Sequence, residues 1–338
     1  MNPPADRKVE DDIDMKRALM KSLVVASALA LALSACGGDD DSSTSGGSQA
    51  PQLSGSIVID GSSTVGPLTS AAAELFNAGQ PNVKVTVGIS GTGGGFEKFC
   101  SGETDISDAS RPIKDEEKAA CEGKNIQYSD FTVANDALTV VVNKDNDWAT
   151  CLTVAELKKI WQPGSKVNNW SQVRSGFPNE PLTLAGPGTD SGTFDYFTAA
   201  INGEEDASRT DYSPSEDDNV TVASVKGAKG GMGYFGWSYF EENQDSLNAV
   251  QIDNGKGCIA PSVAAAQDGT YAPLSRPLFI YPKAASLQKP EVLAFVEYYV
   301  ANAEKIADEA GFVPLNPTQK TKLQSDLQAL KASASASS

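Results

Sequence analysis

The chain of 338 residues has no histidine. That absence removes Ser-His-Asp and Cys-His catalysis and the commonest metal ligand, so neither a metal nor a cofactor is expected. Basic residues are scarce as well: 27 Lys and Arg stand against 44 Asp and Glu, a net charge of −17. Such a chain avoids nucleic acid and repels anions at long range. An anionic ligand must then be held by local donors, not by a basic field. No apolar run reaches the roughly 20 residues that span a bilayer. No fixed-period repeat is visible, which argues against a solenoid.

What apolar sequence there is sits early. Leu23 to Leu33 is almost unbroken Leu, Val and Ala, preceded by Lys16, Arg17 and Lys21 and closed by Ser34-Ala35-Cys36. Basic flank, short apolar core and small residues before a cut site describe a secretory signal over residues 1–35. A cysteine directly after the small residues resembles the bacterial lipobox, in which that cysteine is lipidated. Residues 1–14 are acidic and polar, unlike a signal, so translation is expected to start at Met15. The expectation is an extracytoplasmic protein held to the cell membrane through Cys36, in the periplasm or at the cell surface. Residues 36–53 read as a flexible tether and 332–338, Ala and Ser only, as a disordered tail. The first 35 residues hold five basic and five acidic side chains, so their removal leaves −17.

Cys100, Cys121, Cys151 and Cys258 remain, an even number that suggests disulfides in an exported chain. Three pairings are possible. The short loop favours Cys100–Cys121, which leaves Cys151–Cys258.

Short β-rich runs alternate with helical patterns, which suggests α/β layers. Strands are expected at 56–60, 83–89, 137–142, 181–185 and 278–281. Helices are expected near 67–78, 96–100, 153–161, 194–201, 290–310 and 317–330. Three strand-to-helix junctions share one composition of Gly with Ser or Thr: Gly61 to Thr64, Ser90 to Gly95, and Gly188 to Thr193. The first N–H groups of a helix lack internal partners, and the dipole adds positive charge there. Glycine admits a ligand to the backbone and hydroxyls add neutral donors. Together they make an anion cradle. Ser and Thr are also ordinary N-caps, so each junction alone is weak evidence. None has Walker or dinucleotide spacing. A fourth segment, Asp105 to Pro112, adds charge. Arg111 can grip an oxyanion in fork geometry. Asp108 repels an anion unless the anion carries a proton, as hydrogen phosphate does and sulfate does not.

The segments GSSTVGPL (61–68), SGTGGGF (90–96), DISDASRPI (105–113) and GPGTDSGTFDYF (186–197), in this order after a lipobox, resemble the phosphate-binding lipoprotein of bacterial phosphate ABC transporters. The resemblance runs from about Gly55 to Asn316. It implies a type II periplasmic-binding fold, with two α/β lobes and a ligand cleft between them. Lobe I would span 54–134 plus 275–331 and lobe II 135–274. The crossings would fall near Ala134-Asn135-Asp136 and Pro273-Leu274-Ser275. It further implies phosphate contacts from Ser63, Thr64 and Val65, from Thr92 and Gly93, and from Asp190, Ser191, Gly192 and Thr193. Asp108 would accept the phosphate proton. Many relatives carry an arginine where this chain has Pro187, and Arg111 is expected to replace it. The function implied is phosphate capture and delivery to a permease by a monomer with no chemical step. The alternatives are a receptor for sulfate, molybdate or an organic phosphate, a sensor or scavenger without a permease, and a phosphatase.

Overall fold

The computed structural model describes residues 52–189 and 191–336. The signal, Cys36, most of the tether and Asp190 lie outside the described residues. The strands run in chain order as β1 (Gly55–Gly61), β2 (Val83–Ile89), β3 (Ile106–Ala109), β4 (Phe131–Asn143), β5 (Cys151–Thr153) and β6 (Thr183–Gly186). They continue as β7 (Ser213–Pro214), β8 (Gly231–Gly236), β9 (Leu247–Ala249), β10 (Gln251–Asp253), β11 (Cys258–Ile259) and β12 (Ser275–Pro282). One mixed sheet has the order β2-β1-β3-β12-β4-β8-β6-β7, with β9 also on β4. A small sheet, β11-β10-β5, flanks it.

β4 organises the molecule. Its first half pairs antiparallel with β12, from Phe131↔Ile280 to Ala137↔Ser275. From Leu138 on it pairs with β8. The two largest apolar cores divide at the same point. One core draws on Ile57 to Ala134 and Leu278 to Ala334. The other draws on Leu138 to Leu274. This is the mixed α/β, two-lobed architecture expected of the chain.

Local chemistry explains the elements beside the cleft. In the helix Gly66–Asn77, Leu68, Thr69, Ala72, Ala73 and Phe76 are buried at helical spacing. Phe76 meets Phe295 and Tyr298 edge-on, with ring centroids 5.4 and 5.5 Å away. In the helix Val154–Trp161, a capping box between Thr153 and Glu156 fixes the start, and Leu157, Ile160 and Trp161 are buried as their spacing predicts. Trp161 meets Phe197, Tyr212 and Tyr234 edge-on, and Phe197 stacks on Tyr234 at 3.7 Å. Such ring pairs contribute roughly 0.5–1.5 kcal/mol each beyond their buried area. They anchor the helix Gly192–Phe197 from behind. Cys100 is bonded to Cys121 and Cys151 to Cys258.

Three expectations shift. The helix foreseen over 290–310 is two, Pro290–Ala301 and Ala303–Glu309. Asn302 breaks it: its side-chain N–H takes the Tyr298 carbonyl at 2.8 Å, in competition with the backbone. The last helix runs from Pro317 to Ala336, so residues 332–336 are helical rather than a disordered tail. Alanine is the strongest helix former, Ala334 is buried, and its carbonyl accepts from Gln288 at 2.7 Å. The tether ends early too, since the Leu53 N–H donates to Gln80 Oε1 at 2.8 Å.

Candidate functional site

The three Gly-Ser/Thr junctions converge between the two cores. The helix Gly66–Asn77 follows β1 with Val65 at its cap, and no side chain caps it. The helix Gly91–Ser101 follows β2, again without a side-chain cap, because the Ser90 hydroxyl donates to Asp60 instead. The start at Gly91 therefore keeps first-turn N–H groups for another acceptor, whereas at the other start the Gly66 N–H donates to the Ser62 carbonyl at 2.9 Å and Pro67 has no N–H to offer. Ser191 differs. Its Oγ accepts from the Thr193 N–H at 3.2 Å, an ordinary cap of the helix Gly192–Phe197.

The helix at Gly91 starts five residues before the expected Phe96, so Thr92 and Gly93 belong to its first turn. Close packing demands the glycines. A Cβ on Gly95 would lie 2.5 Å from the Gly61 Cα and 3.0 Å from the Asp60 carbonyl. Thr92 Oγ1 accepts from the Ser110 N–H at 3.2 Å, which ties this turn to the end of β3.

The lobes meet at Ser63 and Thr64. Ser63 Oγ donates to Asp195 Oδ2 at 3.1 Å, and Thr64 Oγ1 donates to the Gly192 carbonyl at 3.4 Å. A Cβ on Gly192 would lie 2.8 Å from Thr64 Oγ1, so only glycine allows this approach. Two cavities share Ser63 and Thr64 as a common wall. One also takes in Ser191, Gly192 and Thr193 with Asp136 and Trp237. The other takes in Thr92, Gly93, Ser110, Arg111 and Arg276. Val65 is wholly buried, and its N–H donates to Ser62 Oγ at 3.4 Å.

Two expected residues sit differently from their assigned roles. Asp108 is fully buried and lines neither cavity. Its Oδ1 accepts from Thr69 at 3.0 Å, and its Oδ2 has no partner among the described residues. Burial pushes this carboxyl up to about 8, with Asp60 adding repulsion and the Thr69 bond opposing. Arg111 borders the second cavity, but its guanidinium is committed to Glu117. Its two terminal nitrogens donate to the two carboxylate oxygens at 2.9 and 2.7 Å. That corrects the expectation of a guanidinium free for the anion: six residues away, Glu117 supplies a matching fork. Pro187 turns its carbonyl to the Tyr212 hydroxyl at 2.7 Å.

Sequence reasoning missed Asp195, Tyr196, Asp136 and Arg276. Asp195 and Tyr196 lie within the motif over 186–197, and burial beside Glu205 and Asp206 pushes Asp195 up to about 6. Asp136 and Arg276 face each other across β4 and β12. Asp136 stood within one expected crossing and Arg276 one residue beyond the other, so that placement was the available signal.

Fold and cleft together define an α/β protein of two lobes with a polar cleft between them, the architecture of a solute-binding receptor. A family profile for the PBP superfamily domain matches residues 46–303. Protein SphX of Synechococcus elongatus is 51% identical over 77% of this chain and 77% of its own. Phosphate-binding protein PstS of Staphylococcus epidermidis is 41% identical over 87% of this chain and 88% of its own. The crystal structure of a possible phosphate binding protein from Planctomyces limnophilus superposes with a TM-score of 0.79 at 47% identity, covering 83% of this chain and all of that one. The chain belongs to the PBP superfamily, in the family of the phosphate-binding receptors of ABC transporters.

Proposed function

We propose that this protein captures inorganic phosphate between its lobes and delivers it to the membrane permease of an ABC transporter. The observation that carries this reading is the helix start at Gly91 without a side-chain cap, beside the hydroxyls of Ser63 and Thr64 and opposite the junction Ser191–Thr193. Neutral donors from both lobes suit a small anion in a chain of strongly negative charge. The names of its relatives support phosphate as that anion. The ligand set proposed is Ser63, Thr64, Val65, Thr92, Gly93, Asp190, Ser191, Gly192 and Thr193, with Asp108 beneath. The lobes are 54–134 plus 275–331 and 135–274, and β4 and β12 act as the hinge. The protein works as a monomer and performs no chemical step. Cys36 carries the lipid that holds it to the membrane.

A second reading, a receptor for sulfate or another fully ionised oxyanion, rests on Asp108. A carboxyl that lines no cavity and holds its proton near neutral pH penalises sulfate less than an ionised one on the cavity wall. Calorimetry with phosphate and with sulfate separates the two. The phosphate reading expects one-to-one binding of phosphate and far weaker binding of sulfate. Equal or stronger sulfate binding would sink it.

A further inference from the structure

Four arginines lie among the described residues, and three are neutralised in the same way. Arg111 is forked onto Glu117, Arg174 onto Glu156 and Arg209 onto Asp211, each through two N–H···O bonds of 2.6 to 2.9 Å. Arg276 is the exception. It reaches its carboxylate, Asp136, by one contact of 3.3 Å. Its other bonds go to neutral acceptors: the Ser110 carbonyl at 3.3 Å and Thr64 Oγ1 at 2.9 Å. Three of five N–H groups are thus used. One on each terminal nitrogen has no acceptor among the described residues, and a pair so placed is what bidentate oxyanion binding takes.

Its position is as informative as its pairing. The side chain is only 18% exposed, and Asp136 beside it is 6% exposed. A mostly buried charge with one long ionic contact has not recovered its desolvation cost. The guanidinium carbon stands 3.6 Å over the Tyr196 ring, and the Tyr196 hydroxyl donates to the Pro273 carbonyl at 2.7 Å. Stacking fixes the plane of the fork. Arg276 therefore touches Thr64 from one lobe and Tyr196 from the other, from its place on β12. It also borders the cavity of Thr92 and Gly93. The other cations there are Arg111, already neutralised, and Lys114, which is exposed.

We propose that Arg276 is the guanidinium that binds the anion in this cleft, held in register by Tyr196, and that Arg111 only braces its own loop. The proposal rests on the phosphate reading. The test is calorimetric titration of wild type, Arg276→Gln, Arg276→Lys and Arg111→Gln with inorganic phosphate, each checked for an unchanged far-ultraviolet spectrum. Arg276→Gln should lose roughly 30-fold or more in affinity, as for removing one member of a buried charge pair. Arg276→Lys should fall between it and wild type, since it keeps the charge and loses the fork. Arg111→Gln should stay within about threefold, because that guanidinium is spent on Glu117 and not on the anion. If Arg276→Gln does not fold, Arg276→Lys decides: wild-type affinity in that variant overturns the proposal. So does wild-type affinity in Arg276→Gln, or a large loss confined to Arg111→Gln. A wild type that binds no phosphate fails the phosphate reading instead, and the same series is then read with sulfate.

Discussion

Asp108 shows how far a single residue was legible. Its place beside an anion loop followed from the motif over 105–113, but its burial under the helix Gly66–Asn77 did not, because depth depends on what packs above it. The proton on that carboxyl has a measurable consequence. The folded protein holds it up to about 8, against 3.8 for an unperturbed aspartate. This group's contribution to stability is fully present below about pH 4 and is lost as pH rises toward 8. In phosphate-free buffer, Asp108→Asn should remove that fall, which reaches about 1.4 kcal/mol per pH unit where one full proton separates the states. Denaturant melts of both proteins from pH 4 to 9 measure it, and parallel curves would show that Asp108 titrates normally. Asp60, Thr69 and Tyr299, the polar neighbours of the carboxyl, are common to both proteins, so the difference isolates Asp108. Arg276 escaped the sequence reading for a similar reason: its partners Asp136 and Thr64 are 140 and 212 positions away.

At the scale of elements, the pattern placed β1, β2, β6 and parts of β4 and β12 but not β3 or β8, and it placed the helices beside the cleft without all of their ends. The run Gly91-Thr92-Gly93-Gly94-Gly95 read as a loop because glycine is a poor helix former, yet it forms the first turn of a helix. Close packing on Gly61 outweighs propensity there. Gly95→Ala follows as a test. Alanine gains about 1 kcal/mol in helix propensity. A methyl pressed against backbone, which cannot swing aside, costs about 1–3 kcal/mol. The net expectation is a lower melting temperature together with weaker phosphate binding, because the first turn that carries Thr92 and Gly93 must move. A stabilised variant with full affinity would show that the contact relaxes freely. The break at Asn302 was less visible, since a lone asparagine inside a helical pattern is common and only its bond to Tyr298 marks the end.

For the whole molecule, the alternation of strands and helices indicated α/β layers, while two lobes around an anion followed only from the family resemblance that the four ordered motifs carry. The exchange of partners along β4, between Ala137 and Leu138, was not readable, because strand pairing is decided by segments far away in the sequence. The membrane attachment is tested apart from the cleft. Cys36→Ser should release the protein from the membrane fraction or leave it unprocessed, with phosphate affinity unchanged. Fractionation with mass spectrometry of the mature amino terminus reports both, and wild-type protein without acyl mass at Cys36 would refute the anchor. The most direct test of the central claim is a crystal structure grown with phosphate. The account predicts one tetrahedral anion between the lobes, bonded by Thr64, by the first turn of Gly91–Ser101 and by Ser191 to Thr193. Phosphate bound outside the cleft, or a closed cleft without it at saturating concentration, would contradict the account.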